Sequence, residues 1–448
     1  MHKPRPSSVL DDARRRWYEA SCQRIDAERL KRLIVDLTSI HSPTGAEARA
    51  ARFMARHFEA MGLRAEFQQV SADSANCVGR LPGSGEGPSL LLYAPIDTHL
   101  DADPERDVPW AGKALRADMV PQATVIADTV IGLGASNPKG MLATLVEAVQ
   151  AVMDAGVALK GDVIVATAGG GMPWVVEERG RSGMSSGVRH LLGQGLAADY
   201  GIIFKPWDEV YYEHPGLCWL KITVTTAMGY AGIPRGVPGF ESSILPAAEL
   251  ILSLEDWLAA YPEAHCSAQV RPEGWVSAIR AGWPDKPAFP SAATEIYLDI
   301  RTNPDQTSDQ LLAEIEPVLA RARSSHREAE FEVAVIADCQ ASRTDPDSWI
   351  VQSCIRAWEE RRGVPYPGPP PLAGQTDAAA LAASGLPLAR IGYPYPGTWP
   401  DDVPADLARG IGGLGVAHVP DLVDPCKALI YALIDTCTRS VSEIAELT

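Results

Sequence analysis

Three short apolar runs constrain this chain more than any other feature: SLLLYAP at 89–95, GDVIVATA at 161–168 and YGIIFKP at 200–206. A near-continuous apolar stretch of that length, bounded by turn residues, suits a strand covered on both faces. Helical spacing fills the intervals, in PKGMLATLVEAVQAVMDAG and SGVRHLLGQG. Residues 24–62 also read as helical, with Ser42-Pro43-Thr44 opening the second run and Gly62 closing it. Shorter strands are expected at AEFQQV and NCVGRLP. Strands alternating with helices predict an α/β fold, a mostly parallel sheet flanked by helices.

The pattern changes at Gly216. The alternating strand GLCWLKITVTT is followed by the helix SILPAAELILSLEDWLAAY, two strands (GWVSAIRAG and ATEIYLDIRT), the helix SDQLLAEIEPVLARA and the strand FEVAVI. That βαββαβ order predicts an inserted α+β domain with a small antiparallel sheet. The expected organisation is an N-terminal extension (1–23), an α/β domain (24–215 and 339–448) and an inserted lid or dimerisation domain (216–338). Two Pro-rich loops, YPGPPPLAGQTD at 366–377 and YPYPGTWPDDVP at 393–404, are expected as walls of a site.

Composition excludes several classes of function. The 448 residues carry a formal net charge of −17, which argues against nucleic-acid or anionic-membrane partners. No apolar run approaches the roughly 20 residues that span a bilayer. The basic start lacks a following apolar segment, so no signal peptide is expected. Eight dispersed cysteines without a CxxC pair suggest reduced thiols in a cytoplasmic protein.

Asp97 ends the first apolar run, at the strand tip where open α/β proteins bind ligands. An acid there commonly orients a metal-binding histidine, yet the residue two before it is Pro95. Four motifs in order, SIHSPTGAE, IGLGASNPKGMLATL, AGQTDAAAL and VAHVPD, resemble the M20 family of zinc-dependent peptidases, deacylases and amidohydrolases. The resemblance runs from about residue 25 to the end. It implies two zinc ions bridged by an aspartate, a glutamate base, and a lid that often mediates dimerisation. In that comparison the histidine of the His-x-Asp motif falls on Pro95, the bridging acid on Asn137 and the Glu-Glu pair on Gly170 and Gly171. The next carboxylate falls on Lys205, and a lid histidine on Tyr230. Asp97 and the last ligand, His418, remain.

Such a site lacks the anionic ligands and the bridge that two zinc ions need. A lysine about 4 Å from a dication would repel it by roughly 8 kcal/mol at an effective dielectric near 20. The expectation is therefore no metal and no cofactor. Lys205, His418, Asp97 and Tyr230 are the candidate catalytic residues. Asn137, Gly170, Gly171, Gln375, Thr376, Asp377 and Arg301 are expected to bind substrate. The glycine run at 169–171 offers backbone N–H groups for an oxyanion. A rebuilt single-metal site could draw on Asp97, His99, Asp377 and His418, and Glu177 with Glu178 could replace the missing pair. His326, Glu328 and Glu330 read as solvated surface. GMSSG (183–187) matches the hydrolase nucleophile elbow as a string but reads better as a helix N-cap.

Three functions stay open. One is a metal-independent enzyme acting on a small amino-acid- or amide-like molecule, of epimerase, isomerase or acyl-transfer type. A second is a hydrolase with one rebuilt metal or none, and the third is a non-catalytic binding or scaffold protein. The expected partners are a small molecule and a second copy of the chain, through the lid.

Overall fold

A computed structural model describes residues 10–180, 182–234, 237, 240–394, 403–404, 407 and 414–447. The chain divides into two units. One comprises residues 1–212, 344–369 and 380–448; the other comprises 213–343 and 370–379.

The first unit opens with helices α1 (Asp12–Cys22), α2 (Ala27–Thr38) and α3 (Ala48–Met61). Asp26 caps α2 by accepting from the N–H groups of Glu28 and Arg29, and Gly62 ends α3 in a left-handed conformation at φ 88°. Strands β1 (Arg64–Gln69), β2 (Ala75–Leu81) and β3 (Leu90–Pro95) follow, then α4 (Pro104–Ala111) and the hairpin β4 (Thr124–Ile126) and β5 (Thr129–Ile131). Next come α5 (Met141–Asp154), β6 (Val163–Ala168), α6 (Ser186–Gly193) and β7 (Tyr200–Pro206).

In the second unit, β8 (Glu213–His214) precedes β9 (Gly216–Thr225), α7 (Ile244–Ala264), β10 (Gly274–Ala281), β11 (Ala293–Thr302), α8 (Ser308–Ser325) and β12 (Glu330–Cys339). The short β13 (Ser342–Arg343) pairs with β8. The first unit resumes at α9 (Trp349–Arg362). After α10 (Ala378–Ala383) it continues with β14 (Leu388–Tyr393), β15 (Val416–His418), α11 (Val419–Cys437) and α12 (Val441–Leu447).

The main sheet has the order β1-β2-β6-β3-β7-β14. β6, β3, β7 and β14 are mutually parallel, whereas β2 pairs antiparallel to β6 and β1 antiparallel to β2. The four parallel strands deliver their carboxyl ends to one edge, which is what positions a site. β3 is buried along its whole length, as the uninterrupted apolar run required. α5 and α11 are buried on nearly all sides, and the removal of each leucine among them from water contributes about 1.5–3 kcal/mol.

In the second unit β10-β11-β9-β12 form an antiparallel sheet. One face, carrying Leu220, Ile222, Ile296 and Leu298, packs on Leu250 and Leu254 of α7 and Leu311 and Ile315 of α8. The βαββαβ order is thus observed. Two features differ from the sequence expectation. Residues 10–22 are no appendage: Tyr18 of α1 packs edge-on against Tyr431 of α11 at 5.5 Å, and the buried Arg14 Nε donates to Thr438. Residues 370–379 cluster with the second unit rather than the first. Most of the Pro-rich loop 393–404 lies outside the described residues. Among the described residues no helix is long and apolar enough to cross a membrane.

Candidate active site

The ends of the parallel strands set four residues in a row across the sheet. Pro95 pairs with Ala168, and Lys205 pairs with Gly392. Lys205 stands two residues beyond the Tyr93–Ile203 pair, level with Pro95. Lys205 is buried. A Cβ at Gly392 would lie 1.5 Å from the Lys205 carbonyl oxygen, so only glycine permits this approach of β14 to β7.

Asp97 is fully buried just past β3. One carboxylate oxygen accepts the N–H of Gly171 at 3.0 Å. The other accepts the N–H of Met172 at 3.0 Å and the Thr44 hydroxyl at 2.9 Å. Directly before this bracket, the N–H of Gly170 donates to Glu47 Oε1 at 2.9 Å, and the N–H of Gly169 to Asn76 at 3.2 Å. The glycine run therefore does not offer an open cradle for a substrate oxyanion. Its three N–H groups are already directed at protein oxygens, because a buried carboxylate must be satisfied before any ligand arrives. Gly170 has φ +64°, and a Cβ there would meet Ser186 Oγ at 2.1 Å. The triplet is thus required by tight packing. Glu47 receives a second bond from the N–H of Gly45 at 2.6 Å. Burial raises its pKa, against the opposing effect of the Ser74 hydroxyl and these N–H groups.

His418 leads into α11 as its N-terminal cap residue. Its Nδ1 lies 3.1 Å from the Asp421 carboxylate, aligned too poorly to count as a hydrogen bond. Both residues line a cavity of about 10 Å³ with Ser136, Tyr393 and Leu422, space for about one water. The hydroxyls of Ser136 and Tyr393 are hydrogen-bonded to each other. Ser136 precedes Asn137 in the loop before α5, and Tyr393 ends β14. Asn137 is partly buried with its side-chain amide oxygen, Oδ1, unbonded among the described residues. Sequence reasoning singled out His418 and Asn137 but missed Ser136, Tyr393 and Asp421. The signal for Ser136 and Asp421 was adjacency, to Asn137 in sequence and to His418 one helical turn on, and that for Tyr393 was its place at the start of the Pro-rich loop 393–404.

Lys139, in the same loop, was also overlooked as an ionisable group. It is buried, donates to the Ile40 carbonyl at 2.7 Å, and burial depresses its amine to about 7. His99 does not join Asp97 as a ligand. It lines a separate small cavity, and burial holds its pKa down to about 4. Glu177 and Glu178 sit exposed in a short 3-10 turn. Ser185 of GMSSG is the N-cap residue of α6, as expected, though buried at φ 63° and without a side-chain capping bond, so it is not an accessible nucleophile. His326 contradicts its reading as solvated surface. It is 9% exposed, held between Glu241 at 3.0 Å and Glu249 at 2.8 Å.

The remaining candidates belong to the second unit. Tyr230 is 53% exposed, its ring 5.8 Å from that of Phe289. Arg301 is already engaged by Asp299 at 2.8 Å. Gln375 and Asp377 are buried, and Thr376 accepts the Ala378 N–H at 3.3 Å. Among the described residues no three His, Cys, Asp or Glu side chains are gathered so as to hold a metal.

Residues 96–402 match the peptidase family M20/M25/M40. The chain belongs to this family. Solved M20-like folds align along nearly their whole length. A tripeptidase from Staphylococcus aureus is 15% identical, with 92% of this chain and 99% of that one covered and a TM-score of 0.64. Human carnosine dipeptidase 1 is 13% identical, with 94% and 99% covered and a TM-score of 0.68. A hydantoinase/carbamoylase family amidase from Burkholderia ambifaria is 16% identical, with 93% and 99% covered and a TM-score of 0.61. At these identities the likeness is one of fold.

Proposed function

We propose that this M20 family member acts on a small amide- or amino-acid-like substrate by hydrolysis or acyl transfer, without a co-catalytic zinc pair. The observation that carries the reading is the water-sized cavity shared by His418, Asp421, Ser136 and Tyr393. It sets an imidazole 3.1 Å from the Asp421 carboxylate and beside two hydroxyls that can relay a proton. His418 is the proton-transfer group in this reading. Lys205 and Asn137 hold the substrate's polar groups, and Lys205 supplies positive charge where the family's cations would sit. Asp97 positions the 169–172 loop. Tyr230, Gln375, Thr376, Asp377 and Arg301 remain substrate-binding candidates from the second unit.

The residues present do not fit a two-zinc centre. Both oxygens of Asp97 are bracketed by N–H groups and a hydroxyl. Proline and glycine stand at strand-end positions that would have to supply ligands, and Lys205 adds a like charge. The peptidase, dipeptidase and amidase names of the structural relatives favour amide chemistry over the epimerase and isomerase alternatives. The partners in this reading are a small molecule and a second copy of the chain through the inserted unit.

Metal analysis of the purified protein should find well under one zinc per chain. Turnover of a panel of dipeptides, N-acetyl and N-carbamoyl amino acids should survive chelators. His418→Ala should slow it by about 10²–10⁴-fold without loss of fold. Stoichiometric zinc with chelator-sensitive turnover overturns the proposal. Binding without turnover across the panel supports the non-catalytic reading in its place.

A further inference from the structure

Two tryptophans stand exposed beside the strand ends. Trp110 of α4 is 52% exposed and Trp174 is 37% exposed, with ring centroids 5.7 Å apart and planes inclined at 45°. Exposed apolar side chains that cluster, unlike ones scattered singly, are of the kind that line contact surfaces. Trp174 comes three residues after Gly171, whose N–H holds Asp97. Its loop is pinned: the Trp174 N–H donates to the Met172 carbonyl at 2.8 Å, and the Val176 N–H to Ser182 at 3.0 Å. Arg179 Nη1 reaches the Thr44 carbonyl at 2.9 Å and Asp101 at 2.7 Å.

Trp174 also walls a cavity of about 10 Å³, whose lining includes Thr44, His99, Asp101 and Arg179. The Nδ1 atom of His99 is buried there without a partner among the described residues. The charged members of the lining, Asp101 and Arg179, are paired with each other, and burial disfavours the charged form of His99. The floor is therefore close to neutral. Among the described residues the cavity lining carries no unpaired charge to balance an ionised group, while the indoles offer flat apolar area. The hydrogen bonds that hold the Trp174 loop leave less freedom to be lost there on binding.

We propose that the Trp110–Trp174 pair is the side-chain subsite of this enzyme and takes the uncharged aromatic side chain of an amino-acid-like substrate. The assignment rests on the amide reading above and names its substrate class.

Calorimetric titration with N-acetyl-L-phenylalaninamide, N-acetyl-L-alaninamide and N-acetyl-L-lysinamide separates the two claims. The phenylalanine probe should bind about tenfold more tightly than the alanine probe, the order expected for one aromatic pairing. Trp174→Ala and Trp110→Ala should each remove that advantage, with alanine-probe affinity unchanged. Trp174→Phe, which keeps a ring, should retain most of it, and this guards against misfolding as the cause. Equal binding of the phenylalanine and alanine probes, indifferent to both alanine variants, overturns the subsite and leaves the amide reading standing. Tightest binding of the lysine probe overturns the neutral-floor argument and with it the assignment. Binding of none of the three sinks the amide reading, and the subsite falls with it.

Discussion

Replacing Glu47 tests how the glycine loop is held. This side chain is fully buried, and Oε1 accepts the N–H groups of Gly45 and Gly170. Burial raises its pKa above the ordinary carboxylate value. For an acid shifted in that direction the folded state binds the proton more tightly than the unfolded state. The associated stability is fully present below the unfolded pKa of about 4.3 and is lost as pH rises through the folded value. Glu47→Gln keeps an acceptor oxygen for both N–H groups and cannot ionise. Its melting temperature relative to wild type should therefore climb between pH 4 and pH 8. Glu47→Ala removes the acceptor and leaves two buried N–H groups unpaired, at about 1–3 kcal/mol each. At about 1.5 °C per kcal/mol for a unit of about 300 residues, the Ala variant should melt several degrees lower at pH 4, with the deficit narrowing as pH rises. Scanning calorimetry of the three proteins across that range decides the matter. A Gln variant that melts several degrees below wild type, with no pH dependence, would refute the reasoning. It would mean that Glu47 is ionised and that the loop is held by charge-assisted bonds.

His326 should act in the same sense with respect to pH. Burial lowers its pKa, but Glu249 and Glu241 more than offset this and raise it. Its stabilisation is complete below the unfolded histidine value of about 6.5 and fades as pH rises through the folded value. The melting difference between wild type and His326→Gln should then be larger at pH 5.5 than at pH 9. In the first unit, a Cβ on Gly79 would lie 2.8 Å from the Phe58 ring. Gly79→Ala should cost about 1–3 kcal/mol, and Phe58→Leu in the same chain should recover part of it, as chemical denaturation would show.

Motifs in the first helical region, before α5, around 374–381 and at His418 made the family recognisable before any geometry, and the family match bears that out. The strand ends were legible because a fully buried parallel strand can be built only from an uninterrupted apolar run, and three such runs are present. The helix α1 escaped notice because it is mostly polar and packs through few residues, Tyr18 and Arg14 among them. The Ser136–Tyr393 contact escaped for a different reason: its members are 257 positions apart, a separation that no local spacing encodes. His326 was misjudged because polar neighbours in sequence suggested solvent, whereas its two glutamate partners come from the preceding loop and α7.

The sequence by itself determined which residues occupy the strand ends, since strand length and hydrophobic pattern follow from local chemistry. What those residues do was decided by tertiary structure. Gly169, Gly170 and Gly171 looked like donors waiting for a ligand, and the fold turns them onto Asn76, Glu47 and Asp97. The reason is that a buried acid must find donors wherever the fold brings them, and that pairing depends on contacts far apart in the chain.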